Sequence, residues 1–279
     1  VVVNVQRGGP STGLPTKTEQ SDLLQAMYGR NGESPVIVIA ASTPSDCFKY
    51  AYHAAKLALE HMTPVILLTD GYIANGSEPW QIKSVGEMPE IKNNRINEVK
   101  ENWHPYDRDE TTLARNWAIP GTYGLEHRVG GLEKDKITGD VSHVPENHEY
   151  MTNIRAEKIK RVENFIPELE TEFAESGDLL VLGWGGTYGG LYSAVKQLNQ
   201  QGYEKIGYAH FNYINPLPKN TKDILSKFNK IVVCELNNGQ FASILKMNFS
   251  EFDFLQFNKI QGLPFGNTEL TEKFKQLLG

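Results

Sequence analysis

The residues best suited to chemistry lie in one short loop near the start of the chain, residues 6–16, with the sequence QRGGPSTGLPT. Arg7 carries the only strong charge in this loop, and its planar guanidinium suits a carboxylate or a phosphate. Ser11, Thr12 and Thr16 add hydroxyl groups, and the glycines allow the backbone to approach a ligand closely. From these residue types alone, a small-anion site and a structural turn are equally good interpretations.

A second glycine-rich stretch, GWGGTYGG at residues 183–190, follows a strand pattern and precedes a helix pattern. It imitates the fingerprint of dinucleotide-binding proteins, but its glycines are spaced one residue too widely. No acidic residue closes the next strand, as that fingerprint requires. The stretch therefore predicts a tightly packed turn rather than a nucleotide site.

Histidine and cysteine do not form a recognisable metal motif. The two cysteines, Cys47 and Cys234, both lie in apolar surroundings and are interpreted as buried thiols in a reducing compartment. Two cysteines are too few for an iron–sulfur cluster, and no Cys-x-x-Cys pair is present for zinc. A loop-rich stretch holds four histidines without zinc spacing, interpreted as hydrogen-bonding side chains: His104, His127, His143 and His148.

Length and charge exclude several classes of protein. The chain has 279 residues and a formal net charge of −6, which argues against a general nucleic-acid binder. No apolar run reaches the length of a membrane span, and no basic segment marks a signal peptide. A cytoplasmic protein is therefore expected. Because the sequence opens inside a strand pattern without a methionine, the chain is also expected to be a C-terminal fragment of a longer subunit.

Strand and helix patterns alternate over residues 1–70. VVVNV, PVIVIAA and PVILLTD are apolar, β-branched runs that predict buried parallel strands, covered on both faces. Between the second and third strands, Thr43 and Pro44 predict the start of a helix. Its predicted apolar face consists of Phe48, Ala51, Ala55, Ala58, Leu59 and Met62.

The later chain divides into three parts. Residues 81–150 lose hydrophobic periodicity and are predicted to form an ordered extension. A helical connector follows at 151–176, with Pro167 expected to kink or split it. Residues 177–279 return to strands and helices, with strands predicted at DLLVLGWG, KIGYAHFNYI, KIVVCEL and KIQGLPF. Residues 1–80 and 177–279 are thus two α/β domains.

Several stretches together closely resemble the α subunits of the 2-oxoacid:ferredoxin oxidoreductases. They are VQRGGPSTGLPTKTEQSDLLQAMYGRNGE, TPSDCF and MTPVILLTDGYIANGSEPW. GTYGLEHRVGGLEKDKITGDVSHVPENHEYMTNIRAEKIKRV resembles the 2-oxoglutarate branch, and NYINPLPKN with VVCELNNGQFASIL resembles the C-terminal domain of the subunit. The resemblance implies the back portion of a thiamine pyrimidine-type domain at 1–80, and a transketolase C-terminal-like α/β domain at 177–279.

The family resemblance also implies an activity and a site. Such enzymes decarboxylate a 2-oxoacid on thiamine diphosphate, pass electrons through iron–sulfur clusters to ferredoxin and form an acyl-coenzyme A. Arg7 matches the arginine of the RxGPSTG motif, which implies that it pairs with the substrate carboxylate. Thr16 matches the threonine of the following PTK and is implied to line the same pocket. Ser11 and Thr12 are expected to contribute their hydroxyl groups to it.

Other parts of the family pattern are missing from this stretch. The YPITP motif and the glutamate that activates thiamine are expected before residue 1, so no catalytic residue is expected here. The resemblance places thiamine diphosphate, Mg²⁺ and the iron–sulfur cluster on a partner β subunit, with none bound to this chain alone. The expected partners are that β subunit, ferredoxin, coenzyme A and a 2-oxoacid. A homodimer with a second copy of the chain is a further option. Neither nucleic acid nor a membrane is an expected partner.

Two other functions stay open at this point. A non-catalytic, thiamine-enzyme-like subunit that only supports a partner would show the same strand–helix pattern. A neighbouring gene for a β subunit with cluster cysteines would favour the enzyme. A stand-alone nucleotide binder is disfavoured by the glycine spacing at residues 183–190.

Overall fold

The fold is described here from a computed structural model, which covers residues 1–92, 94–99 and 101–279. The first part of the chain forms β1 Val2–Gln6, α1 Leu23–Tyr28, β2 Ile37–Ala40, α2 Pro44–Glu60, β3 Val65–Asp70, α3 Gly71–Ala74, β4 Arg95–Ile96, β5 Trp117–Ala118 and α4 Pro145–Arg161. The second part forms β6 Thr171–Glu172, β7 Gly177–Trp184, α5 Tyr188–Gln200, β8 Ile206–Phe211, β9 Tyr213–Asn215, α6 Thr221–Leu225, β10 Phe228–Glu235, α7 Gln240–Asn248, β11 Phe254–Asn258 and α8 Asn267–Leu278. The predicted α/β class is confirmed.

The first sheet has the strand order β1-β3-β2-β9. β1, β3 and β2 are parallel, as the alternating patterns predict, and α2 connects β2 to β3. β9 comes from the second half of the chain and pairs antiparallel with β2. The two halves of the molecule therefore share a sheet.

β1 is the strand whose environment differs from the prediction. It pairs with β3, and Val2, Val3 and Val5 are 57%, 56% and 53% exposed. The prediction that this strand is buried on both faces is wrong in this structure, because β1 lies at the edge of its sheet and no helix in the described part of the chain covers these valines.

Helix α2 starts where the sequence predicts. The Thr43 side chain accepts a hydrogen bond from the Asp46 backbone N–H, and Pro44 occupies the first turn. The predicted apolar face is wrong, since Phe48 and Leu59 are each 43% exposed. The buried face instead carries Tyr50, Ala54, Leu57 and Glu60.

The second sheet has the order β11-β10-β7-β8-β6, with β6 antiparallel to the other four strands. Leu179 and Val181 of β7 belong to the core beneath α5 and α8. Leu180 and Leu182 point to the opposite face, into a core that also contains side chains of α1 and α7. This alternation is the two-residue period of a strand that is buried on both faces.

Two strand predictions in the second half are wrong in detail, and one helix was not predicted. The stretch KIGYAHFNYI forms two strands in two different sheets, because the chain turns at Asn212 between β8 and β9. The Asn212 amide donates to the Ala40 carbonyl at 2.9 Å and fixes this crossing. The stretch KIQGLPF is a loop that contains Gly262 at φ +66°. The last strand of the structure is β11, which precedes this loop. Helix α8, which follows the loop, was not predicted.

Residues 81–150 contain the paired short strands β4 and β5. α4 begins at Pro145, six residues before the predicted connector, and ends at Arg161, so Pro167 lies beyond it and does not kink it. The other proposed boundaries stay predictions. In the described parts of the chain, no helix combines the length and the apolar character needed to span a membrane.

Candidate functional site

A cleft of about 410 Å³ lies where strands of both sheets end. Its walls come from residues 16–18, the start of α2, the α3 region, Gly189 at the start of α5 and the turn at 262–264. Ligands of open parallel α/β sheets bind at the carboxyl ends of the strands. The cleft is therefore the best-placed candidate site in the described structure.

The loop at residues 7–17 reaches this cleft with its last two residues and is closed by its own backbone. The Gly8 N–H donates to the Lys17 carbonyl at 3.0 Å, and the Leu14 N–H donates to the Gly8 carbonyl at 2.9 Å. Gly13 has φ +52°, and a Cβ there would lie 1.7 Å from the Gly8 oxygen. Only glycine fits this position, so the loop conformation depends on the sequence that suggested a site.

The four predicted site residues are all exposed and all lie in this loop. Thr16 lines the cleft, whereas Arg7, Ser11 and Thr12 are not part of its wall. Among the described residues, the Arg7 guanidinium has no hydrogen-bond or ion-pair partner, and its carbonyl accepts from the Ser21 hydroxyl at 3.1 Å. The structure thus leaves the Arg7 charge available and brings Thr16 to the cleft; their roles stay predictions.

Lys17 was not among the predicted residues, yet it lines the cleft beside Thr16. It packs closely against the second half of the chain, since a Cβ on Gly262 would lie 2.8 Å from the Lys17 Cβ and 2.9 Å from a Leu14 methyl group. Lys17 thus adds a cationic residue to the wall of the cleft. Its position after Thr16 was the available signal.

Asp70 joins the two halves beside the cleft. One of its carboxyl oxygens, Oδ1, accepts from the Thr18 hydroxyl at 3.1 Å and from the backbone of Tyr72 and Ile73 at 2.8 and 3.2 Å. The other oxygen accepts from the Gly186 N–H at 3.0 Å. Burial raises the pKa of Asp70, and the four hydrogen bonds oppose that rise.

Gln20 makes a second connection between the halves. Its side-chain amide donates to the Trp184 carbonyl at 2.7 Å and accepts from the Leu236 N–H at 3.0 Å. The side chain is fully buried, so both polar groups need these partners. The segment that follows the loop is thereby fixed between the two sheets.

Glu78 lies at the start of α2, on the rim of the cleft. Its carboxylate accepts from the Thr43 hydroxyl at 2.7 Å and from the Ser45 backbone at 2.5 Å. Hydrogen bonds from the Ser45 hydroxyl, the Ser45 backbone and the Thr43 hydroxyl lower the pKa of Glu78, and the backbone bond satisfies a donor of the first helical turn. The Glu78 carboxylate is thus already hydrogen-bonded to the start of α2.

The glycine-rich stretch at 183–190 packs as the sequence predicts. Gly185 has φ +56°, and a Cβ on Gly186 would lie 2.1 Å from an Asp70 carboxyl oxygen. Of the histidines, His148 hydrogen-bonds Glu133 at 2.7 Å and His127 contacts the Leu125 carbonyl at 2.9 Å. Across the described residues, no group of three His, Cys, Asp or Glu could hold a metal ion.

Comparison with known proteins decides the family. Residues 1–144, more than half of the chain, match the family described as "Pyruvate flavodoxin/ferredoxin oxidoreductase, thiamine diP-bdg". The chain belongs to this pyruvate flavodoxin/ferredoxin oxidoreductase family. The predicted resemblance to this family is therefore confirmed.

Among members of this oxidoreductase family, the chain is 49% identical to the 2-oxoglutarate oxidoreductase subunit KorA of Mycobacterium tuberculosis over 267 residues, which cover 95% of this chain and 40% of that protein. It is 30% identical to the 2-oxoglutarate synthase subunit KorA of Methanothermobacter thermautotrophicus, covering 86% and 63%. The chain thus spans less than two thirds of the length of these relatives.

The solved structure of a 2-oxoglutarate:ferredoxin oxidoreductase from Magnetococcus marinus shares the fold with a TM-score of 0.90 and 30% identity. The match covers 100% of this chain and 48% of the other chain. That protein was solved with 2-oxoglutarate, coenzyme A and succinyl-CoA bound. Both sheets of this family member therefore follow the arrangement of that enzyme.

Proposed function

We propose that this chain is part of the α subunit of an oxidoreductase that converts 2-oxoglutarate and coenzyme A to succinyl-coenzyme A and CO₂. Two oxidised ferredoxins take up the two electrons released. The observation that carries the proposal is the agreement over the whole chain with an enzyme solved with 2-oxoglutarate and succinyl-CoA bound. The 49% identity to a 2-oxoglutarate oxidoreductase subunit supports the same substrate.

The chain's own contribution is to bind and orient the carboxylates of the substrate. Arg7 offers a guanidinium that no described residue engages, and Thr16 and Lys17 line the adjoining cleft. Ser11 and Thr12 lie in the same exposed loop, within the sequence between Arg7 and Thr16. A 2-oxoacid brings a carboxylate beside its ketone, and 2-oxoglutarate brings a second one, so two cationic side chains suit it.

Thiamine diphosphate supplies the decarboxylation chemistry in the enzymes of this family. The described residues contain no group of acidic side chains that could hold its metal, and Asp70 and Glu78 are committed to hydrogen bonds within the chain. The metal–diphosphate group therefore does not fit this stretch. We assign it, together with the iron–sulfur cluster and the ferredoxin contact, to a partner β subunit in a cytoplasmic complex, and we leave open a second copy of this chain.

The test is substitution of Arg7 in the full-length enzyme with its partner subunit. Arg7→Ala is expected to lower kcat/KM for 2-oxoglutarate by about 2–4 kcal/mol in transition-state free energy, because charge-assisted hydrogen bonds are lost. Arg7→Lys is expected to keep part of the wild-type kcat/KM, since an ammonium group carries the charge but lacks the two parallel N–H donors of a guanidinium. Arg128 is also exposed, and Arg128→Ala is the matched control. Unchanged kcat/KM for Arg7→Ala would remove Arg7 from the site.

A non-catalytic supporting subunit is the alternative, and the same preparation distinguishes it. If the complex shows no 2-oxoacid-dependent reduction of ferredoxin with any 2-oxoacid, the enzyme proposal fails. Preference among pyruvate, 2-oxobutyrate and 2-oxoglutarate then tests the substrate separately from the reaction.

A further inference from the structure

A second cavity of about 320 Å³ carries an unusual concentration of positive charge. It lies between the end of α2, the loop around residues 106–115, residues 131–134 and helix α4. Its five cationic side chains are Arg108, Arg115, Lys134, Arg155 and Lys158, and its carboxylate is Glu133. This concentration occurs in a chain whose net charge is −6, so it is a local arrangement and not the average of the surface.

Neutral carbonyl groups hold three of these cations. Arg108 donates to the Leu113 carbonyl at 3.0 Å, Arg115 to the Pro105 carbonyl at 3.1 Å, and Lys158 to the Met62 carbonyl at 2.9 Å. These bonds orient the charges without neutralising them. The positive potential of the cavity therefore remains available to a ligand.

The single carboxylate does not compensate the charge. Glu133 lies 3.5 Å from Arg155 and 2.7 Å from His148, so it serves two partners. Arg108 also has a buried Nε without a hydrogen-bond partner among the described residues. Burial and the guanidinium groups of Arg108, Arg115 and Arg155 lower the pKa of Lys158 to about 8, as expected where like charges are held together.

Lys134 is the most informative member of the cluster. Only 4% of this residue is exposed, and the residue lines the cavity. Within the described parts of the chain, its ammonium group has no hydrogen-bond, ion-pair or ring partner, whereas its backbone carbonyl accepts from the Asn147 amide at 2.8 Å. Lys134 therefore adds to the cluster a positive charge that no described residue neutralises.

We propose that this cavity is a binding site for an anion with two or more phosphate groups. Arginine forks and lysine ammonium groups are the side chains that bind phosphate, and several of them suit a diphosphate better than a single carboxylate. Leu132 and Met151 add apolar wall next to the cations, which suits a diphosphate attached to an organic group. The shared chemistry is the diphosphate, whether inorganic or part of a nucleotide.

This site is far from the cleft at the strand ends. The cleft lies at the start of α2 and the cationic cavity beyond its end, and 17 helical residues separate them by about 25 Å. The inference rests on charges and contacts in this second cavity and does not depend on the proposed function.

The experiment is isothermal titration of the full-length protein, in its complex, with pyrophosphate and separately with ADP. We expect a Kd for the better probe below about 100 µM at low salt, weakening as salt rises. Lys134→Met and Arg155→Gln are each expected to weaken that Kd by about tenfold or more, since each removes a charge at the ligand. Lys160, exposed on the same helix α4, supplies the matched control Lys160→Met, for which a change below about twofold is expected.

The two probes distinguish the sources of the ligand. Tighter binding of ADP assigns the site to a nucleotide, and tighter binding of pyrophosphate assigns it to the inorganic ion; both support the proposal. Failure of both probes to bind below about 1 mM would overturn it. So would equal losses in Lys160→Met and the two site variants, because the effect would then be nonspecific. Circular dichroism of each variant shows whether it is folded.

Discussion

The carboxyl group of Asp70 accepts four hydrogen bonds. If an amide group replaced this carboxyl group, three of the four hydrogen bonds could still form. In Asp70→Asn, the retained oxygen can still accept from Thr18, Tyr72 and Ile73. The amide nitrogen cannot accept from Gly186, whose buried N–H would be left without a partner. We expect a loss of about 1–3 kcal/mol in the free energy of unfolding, measured by urea titration.

Asp253 provides the control for that substitution. It is fully exposed and makes one ion pair with Lys246 at 3.4 Å. Asp253→Asn is expected to change stability by less than about 0.5 kcal/mol. Equal effects of the two substitutions would show that Asp70 does not connect the halves energetically.

Lys158 gives a prediction for pH dependence. Its pKa in the folded protein is about 8, below that of an unfolded lysine, so the folded state binds this proton less tightly. The unfavourable contribution to stability is therefore complete below a pH of about 8, and it disappears as the pH rises towards 10.5, the ordinary pKa of a lysine. Between about pH 7 and pH 10, the wild type should gain about 2–3 kcal/mol of stability relative to Lys158→Met.

The other titratable groups are the same in the wild type and in Lys158→Met, so their contributions cancel in the difference between the two proteins. Chemical unfolding at both pH values gives the difference directly. Parallel stability curves for the two proteins would mean that Lys158 titrates normally.

Single residues were predictable where their chemistry is local. The loop around Arg7 and the cap at Thr43 could be inferred because their signals lie within a few residues. Asp70 and Gln20 could not, since their partners Gly186 and Trp184 are 116 and 164 residues away. Nothing in the sequence near a buried polar residue tells which distant backbone group satisfies it.

At the scale of elements, the turn before α5 depends on the absence of a side chain at Gly186. A Cβ there would lie 2.1 Å from the Asp70 carboxylate, and the crowded atoms are held by other hydrogen bonds. Gly186→Ala is therefore expected to lower the free energy of unfolding by about 3 kcal/mol. Thermal and urea unfolding are the measurements.

Gly189, three residues later, lies in α5 and has open space around it, since a Cβ there would meet no atom within 4 Å. Gly189→Ala is expected to be neutral or to stabilise by up to about 1 kcal/mol, because alanine favours the helix. If Gly186→Ala lowered the free energy of unfolding less than Gly189→Ala did, the result would contradict the close packing at Gly186.

Elements were predicted best where burial is continuous. β2, β3, β7 and β10 are apolar, β-branched runs, and each was predicted as a strand. The prediction of the buried face of α2 was wrong because the alanines of this helix fit two different faces. The contact of Tyr50 with the distant Tyr213 distinguishes the two faces. The split of KIGYAHFNYI depends on pairing across the molecule, which periodicity does not contain.

At the scale of the whole molecule, β9 makes the two sheets one structural unit. Its pairing with β2 and the Gln20 contacts cross between the halves. We expect native-state hydrogen exchange in rising urea to give one common opening free energy for central amides of β2 and β7. Amides of the two-residue strand β4 serve as the comparison and should exchange earlier. Separate opening of β2, with β7 still protected, would show two independent units.

The position of β9 in the chain also has a consequence for synthesis on the ribosome. Val38 of β2 pairs with Asn215 of β9, so the first sheet lacks its edge partner until the later residue has been translated. At about 5–20 residues per second, that interval lasts roughly 10–35 seconds. Throughout it, β2 presents unpaired backbone groups to the surrounding solution, and a nascent chain in this state is a natural client for chaperones that bind exposed strands.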